Sequence, residues 1–515
     1  MMRKTVFFIV IFVCQISFVF DLLGQANTSA KKIECTAQRL VYDAEIKPNV
    51  QILYGDVVFS HEGAIGYCDT AYFHEKQNLI EAFGKNLNIH INDSVILYGN
   101  HLIYNGNTKQ AVITKDTVVL TNGNTSLYTD KLIYDRIADV GFYNTHGRLV
   151  SENSTLESVQ GWYYTQTSEV YFKDSVVLTT PQYVVHSDTL MYNTQSEIAY
   201  FLGPTLIQSE DNFITCEYGW YNTFNNVCQF EKHAKLYNHT QCLQADTIWF
   251  DRDNDMGIAR RNVLISDSTQ NTLFSGHYAE YQQQKGYAYL IDSAVAVLIE
   301  NNDSLFVHGQ EMWLAFDTAQ EIQSIQAYYN VRFFREDLQG VCDSLAYDAL
   351  DSVIFLIGNP VLWSDKNQLK ADTIKLFIKN QEISNMHFIM NASIFADVFE
   401  QEKFNQIKGI NMWLDFQNNK IQQVFIDANA ECIYYVQENN GDLVGIQKST
   451  SSQMRIFFED NQVSMIRMYK KVKGNMYPES ELTLPLLSNF IWLADFRPIN
   501  KNDIFREDRY QAAKD

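Results

Sequence analysis

Six aspartates recur in comparable surroundings along this chain: Asp69, Asp130, Asp188, Asp246, Asp343 and Asp372. A ladder of carboxylates is what a row of metal sites or a set of general acids would need. Each of them, however, precedes an apolar residue where a strand would begin. There an aspartate commonly accepts hydrogen bonds from turn amides, so a structural role is expected. The other reactive residues form no known constellation. The eleven histidines are scattered, with no His-Glu-x-x-His or His-x-His. Neither a Gly-x-Ser-x-Gly elbow nor a glycine-rich phosphate loop occurs. Beyond Cys14, seven cysteines remain (Cys35, Cys68, Cys216, Cys228, Cys242, Cys342 and Cys432), an odd number without a Cys-x-x-Cys pair. That argues against both a disulfide framework and a zinc ribbon. The expectation is a protein with no catalytic residue, no metal site and no cofactor, not an enzyme.

The elements around the aspartates explain their recurrence. Cys68-Asp-Thr-Ala-Tyr-Phe73, Thr129-Asp-Lys-Leu-Ile-Tyr134, Ser187-Asp-Thr-Leu-Met-Tyr192, Ala245-Asp-Thr-Ile-Trp-Phe250, Cys342-Asp-Ser-Leu-Ala-Tyr347 and Ala371-Asp-Thr-Ile-Lys-Leu376 are one pattern: small, Asp, polar, apolar, any, aromatic or Leu. Weaker copies lie between them. The second position falls at 69, 100, 130, 160, 188, 217, 246, 277, 310, 343, 372 and 410, a period close to 30 residues. A ragged further copy starts near Ser452. Such a period marks a repeat architecture, in which stacked neighbours bury a face that one unit cannot bury alone. The apolar and terminal positions are two apart and so share one side of a strand. The first position is small in eleven of twelve copies, which predicts a crowded packing site; Cys68, Cys216 and Cys342 occupy it. Polar turns such as Asn193-Thr-Gln-Ser-Glu197 lead to further short apolar runs, so each unit reads as two to three short strands. The residue before the terminal one is often aromatic (Trp220, Trp249, Trp313, Trp413) and should face the other side.

Composition bounds the function. The chain has 515 residues, 14% aromatics, only 7 prolines and a net charge of −21, with 40 Lys and Arg against 61 Asp and Glu. The aromatic content argues against disorder. The acidic balance argues against nucleic acid as a partner, because neutralising phosphates requires excess cations. Residues 1–26 combine Arg3 and Lys4, an apolar run from Thr5 to Phe20, and Gly24-Gln25-Ala26, the form of a signal peptide. The expected organisation is a signal peptide over 1–26, β repeats over 27–425 in one or two consecutive domains, a degenerate β repeat over 426–484 and a polar tail over 485–515.

An exported all-β chain with Asp130-Lys-Leu-Ile-Tyr134 and Tyr54-Gly-Asp-Val-Val-Phe59 in many ~30-residue copies resembles the OstA-like family, the LptA-type lipopolysaccharide-transport proteins. The tail, through Met476-Tyr-Pro478 and Phe490-Ile-Trp-Leu-Ala-Asp-Phe-Arg-Pro498, is similar to that of long OstA-like proteins of Bacteroidetes-type bacteria. The resemblance implies a repetitive β-jellyroll of about twelve units with two facing antiparallel sheets. It implies a periplasmic, outer-membrane-directed bridge that shelters lipid A acyl chains of lipopolysaccharide. The implied partners are transport proteins at the inner and outer membrane, with end-to-end self-association. The chain departs from a minimal member in holding about twice the repeats. Lining residues are expected at Leu102, Tyr104, Leu132, Tyr134, Leu190, Tyr192, Ile248 and Phe250, although the same positions would fill an ordinary closed core. Two rival readings are an extracellular β-helix acting as polysaccharide lyase or adhesin, and an outer-membrane β-barrel.

Overall fold

The computed structural model describes residues 31–42, 48–210, 212–299, 304–318, 321–380, 382–398, 400–417, 420–438, 442–459, 462–478, 486–488 and 490–507. The expected signal peptide lies outside them. The described residues are β-strands, turns and four single-turn 3₁₀ segments. No helix among them is long and apolar enough to cross a membrane. The chain divides into two compact units. One holds the residues up to Val118 together with Ile133–Ile137, and the other holds Val119–Leu132 and the residues from Ala138 onward.

In the larger unit the repeat is built from long strands that bend once. Val227–Asn238, Gln241–Asp251, Met256–Asp267, Thr272–Gln282, Tyr287–Leu298 and Leu305–Phe316 pair in sequence, each antiparallel to the next. Each pairing breaks register once, near mid-strand. On every second strand the break is a pair of left-handed residues: Asp174 and Ser175, Lys232 and His233, Arg261 and Asn262, Asp292 and Ser293. Two consecutive residues at positive φ turn the strand sharply, which makes a corner. The strand halves on one side of the corners, such as 247–251, form a first sheet. The halves on the other side, such as 241–245, form a second.

The two sheets face each other across the corners. The Tyr143 ring projects from the first sheet onto Gly147 of the second, where an added Cβ would lie 2.3 Å from it. The Tyr143 hydroxyl is 2.7 Å from Ser158 Oγ, also on the second sheet. The expected jellyroll of two facing antiparallel sheets is therefore present. Every pairing described is antiparallel, unlike the parallel rungs of a β-helix.

Two expectations are corrected in detail. Between residues 227 and 348 each unit is two long bent strands, not two to three short ones; shorter pieces appear mainly earlier, as in Val140–Tyr143 and Gly147–Val150. Five of the six aspartates do not begin strands, whereas Asp372 directly precedes Thr373–Lys379 as expected. Asp188, Asp246 and Asp343 lie inside Val184–Asn193, Gln241–Asp251 and Leu338–Asp348, level with the corners of neighbouring strands. The repeat also continues past residue 425. Lys420–Gln437 and Leu443–Glu459 are regular strands, with left-handed corners at Ala428 and Asn429 and at Lys470 and Lys471.

The smaller unit repeats the same corner, with Gly55 and Asp56 left-handed opposite Asp69. Here the open side of the fold is fastened by a polar cluster. His61 Nδ1 lies 2.7 Å from the Tyr104 hydroxyl, and Arg136 donates to that hydroxyl at 3.0 Å and to the His61 carbonyl at 2.9 Å.

Candidate functional site

The corner explains the small first position of the repeat and its aspartate. At Gly409 a Cβ would sit 2.2 Å from Ile426 Cγ2 on the facing sheet, so only small residues fit where the sheets converge. Cys68, Cys216 and Cys342 are buried at equivalent points, and all seven described cysteines are free. Burial pushes the Cys68, Cys216, Cys228 and Cys432 thiols up to about 12, so they stay protonated and unreactive at neutral pH. Asp69, Asp246 and Asp372 bind amides at the turns and corners, while Asp188 and Asp343 accept from the hydroxyls of Thr189 and Ser344. Asn262 Nδ2 donates to both Asp246 oxygens at 3.1 Å, Asn391 Nδ2 does the same to Asp372, and Asp69 accepts from the Lys85 amide at 3.0 Å. The carboxylate ladder is thus a set of corner braces.

The inward residues form cross-strand rows. The row nearest the corner on the first sheet runs Phe172, Leu190, Phe201, Gly219, Phe230, Ile248, Ala259, Ala279, Leu290, Met312 and Ala327. Apart from Gly219 it is buried throughout. Leu190 and Ile248 belong to it. The next row, nearer the open side, runs Tyr163, Val170, Tyr192, Ala199, Tyr221, Cys228, Phe250, Gly257, Tyr281, Ala288, Leu314, Ile325 and Tyr347. From Tyr163 to Cys228 it is at most 5% exposed. Phe250, Gly257, Tyr281, Ala288, Ile325 and Tyr347 are only half-buried, with Leu314 buried among them.

The facing row of the second sheet changes over an overlapping set of strands. Leu127, Leu149, Leu156, Leu178 and Val185 are sealed at no more than 1% exposure. Ile214, Leu236, Leu243, Ile265, Ala296 and Val307 are half-buried, while Phe274, between Ile265 and Ala296 in this row, is buried. Phe333, Leu362 and Leu369 are buried again. The two inner walls are therefore closed upstream, parted in the middle and closed downstream. The parted stretch is an apolar slot. Its two walls overlap over five strands, from Gln241–Asp251 to Leu305–Phe316, roughly 20 Å at the usual strand spacing.

Of the eight expected lining residues, Leu102, Tyr104, Leu132, Tyr134, Leu190, Tyr192 and Ile248 are buried, and Phe250 is half-buried at the slot. Leu102, Tyr104 and Tyr134 belong to the smaller unit and the others to the larger. Sequence reasoning did not single out Leu236, Leu243, Ile265, Tyr281 or Val307. Their residue types match those of the sealed stretch, so no sequence signal separates them.

The tryptophans sit on the outer face. Trp220, Trp249, Trp313 and Trp413 share one cross-strand row, where Trp313 stacks on Tyr289 at 4.7 Å and Trp413 on His387 at 4.5 Å. Such pairs stabilise neighbouring strands. The tail also packs outside. Residues 486–507 run back over the outer face of the second sheet, with Leu487 against Ile433, Tyr435 and Ile446, and Leu493 and Phe496 against Val341, Val361 and Trp363. At its far end Phe505 meets His308, ring centroids 5.1 Å apart.

With this geometry in place, comparison with known proteins is informative. Residues 31–188 match the family model of OstA-like proteins. Over that segment the chain is similar to OstA-like proteins. No curated protein matches. Eighteen chains of solved structures do, among them LptH from Pseudomonas aeruginosa, described as the LptA-homologous periplasmic component of the lipopolysaccharide transport device. It is 14% identical, the alignment covers 23% of this chain and 82% of that one, and the TM-score is 0.20. The OstA-like segment ends at residue 188, before the slot. The period and the bent corners continue beyond it without interruption.

Proposed function

We propose that this protein is a periplasmic bridge that shelters the acyl chains of lipopolysaccharide on their way to the outer membrane, without covalent chemistry of its own. One observation carries the reading: two facing apolar rows, half-buried from Ile214 to Val307 on one sheet and from Phe250 to Tyr347 on the other except at Phe274 and Leu314, overlap over the five strands from Gln241–Asp251 to Leu305–Phe316. Each acyl methylene moved from water into such a slot gains about 0.8 kcal/mol. A lipid with several chains is therefore spared most of the cost of exposure to water once it has left a membrane for the slot. The surroundings favour tails over head groups, since the chain as a whole carries an excess of acidic residues and phosphates would be held weakly there. Transport proteins at the inner and outer membrane are the natural partners, one delivering lipid and one accepting it. End-to-end association of copies would lengthen the path.

Photocrosslinking from Tyr281 and Phe250 in the full chain, in cells, with lipopolysaccharide detected on the blot, tests this. Labelling is expected at both. Absence of labelling at both, under conditions where an established transporter labels, would overturn the reading.

A further inference from the structure

The slot ends upstream at a pair of tyrosines. Tyr183 lies at the outer end of the second sheet, just before the strand Val184–Asn193, and Tyr221 lies in the first-sheet strand Tyr218–Asn222. Their rings meet edge-on across the open side, centroids 4.8 Å apart at 71°. Both are buried. The Tyr221 hydroxyl donates to Asn226 Oδ1 at 2.6 Å, and the Tyr183 hydroxyl lies within reach of that of Tyr221. The Arg252 guanidinium sits beside them.

The position of this pair coincides with the change in the inner walls. Upstream, Tyr192 and Val185 are sealed. Downstream, Ile214, Leu236 and Phe250 are half-buried. Within the slot, a contact described between the open ends of the sheets is Gln270 Nε2 to Glu321 Oε2 at 3.0 Å, which is solvent-exposed. An exposed pair of this kind adds little, whereas a buried hydroxyl pair separated from its partner loses a hydrogen bond that water cannot readily replace. The strong contact therefore stands at the end of the slot and the weak one over its middle.

We propose that Tyr183 and Tyr221 form a latch that bounds the slot, and that an acyl chain passes upstream of it only when the two sheet ends part. This rests on the lipid-sheltering reading above. It assigns to these tyrosines control over how far along the chain a lipid reaches. The sealed row upstream then becomes a second segment of the path, opened on demand.

The test places p-azidophenylalanine, close to tyrosine in size, at Tyr281 or at Tyr192 in the otherwise complete chain, with purified lipopolysaccharide as the probe. With the latch intact, crosslinking is expected at Tyr281 and only at background at Tyr192. With Tyr183→Phe and Tyr221→Phe together, labelling at Tyr192 should rise about fivefold, the population change that one lost buried hydrogen bond permits. Labelling at Tyr281 should stay the same. Tyr183→Ser, which also removes the ring contact, should raise Tyr192 labelling further, and unchanged circular dichroism would confirm that both variants are folded. Equal labelling at Tyr192 in all three proteins, with Tyr281 labelled, would overturn the latch and leave the lipid reading standing. No labelling at Tyr281 in the parent protein would overturn the lipid reading itself.

Discussion

Gln368 holds Leu493 and its neighbour by their backbone. Its Oε1 accepts from the Leu493 amide at 2.7 Å, and its Nε2 donates to the Ile491 carbonyl at 2.7 Å. Gln406 and Gln339 do related work on the same outer row. Gln406 Oε1 accepts from the Leu487 amide at 2.9 Å, and Gln339 Oε1 from Arg497 at 2.7 Å. Three buried glutamines thus dock the C-terminal segment onto a sheet face that would otherwise expose Trp363, Phe395 and Ile433.

Gln368→Leu should release that segment. It leaves an amide and a carbonyl without partners in a buried place, a loss of about 1–3 kcal/mol. Limited trypsin digestion followed by mass spectrometry should show faster cleavage at Lys501 and Arg506 than in the parent, with the rest of the chain unaffected. Unchanged cleavage rates would show that the glutamine does not hold the segment.

Gly409→Val should lower stability by about 1–3 kcal/mol, because overpacking at the convergence of the sheets forces Ile426 out of place. A urea titration of both proteins, read by tryptophan fluorescence, measures the difference. A neutral result would mean that the sheets are further apart at the corner than 2.2 Å of Cβ clearance implies.

Asp372→Ala should cost about 0.5–1.5 kcal/mol through loss of the bonds from Asn391. Adding or chelating divalent cations should not shift the melting temperature of the parent. A large shift on chelation would restore the metal-ladder reading of the aspartates.

The pH dependence has a definite sign at His308. Burial lowers its pKa below the usual histidine value, opposed by the hydrogen bond to the Ala294 carbonyl at 2.9 Å, while nearby Arg332 lowers it further. The neutral ring is favoured in the folded protein. Its contribution is therefore complete above the unfolded value near 6.5 and is lost as pH falls below it towards the folded value. Because Phe505 lies against this ring, acid should destabilise the parent more than His308→Phe. Thermal melts of the two at pH 5 and pH 8 give the comparison, and parallel curves would contradict it.

Thiol accessibility provides a simple check on the cysteines. Ellman's reagent should leave Cys68, Cys216, Cys342 and Cys432 unmodified in the native protein and titrate all of them in guanidinium. Rapid native reaction at any of the four would place it outside the core.

Much of this protein was legible in its sequence. The ~30-residue period, the period-2 alternation of Leu190 and Tyr192, and the restriction of the first position to small residues are local rules, each enforced by one strand or one contact. They specify a stacked all-β chain with two faces and an apolar interior. The corners were less legible. Left-handed pairs as different as Lys232 with His233 and Ala428 with Asn429 share no residue type, so a bent strand reads as two short ones with an aspartate at the second's start. Where the sheets part was not legible at all. Leu127 and Leu243 are the same residue at the same place in the repeat, before Asp130 and Asp246, yet one is sealed and the other half-buried. Their difference depends on how far two sheets splay from a shared corner and on which side chains meet across the open side. Tyr183 and Tyr221 are 38 positions apart in the chain, and only the fold brings their rings together.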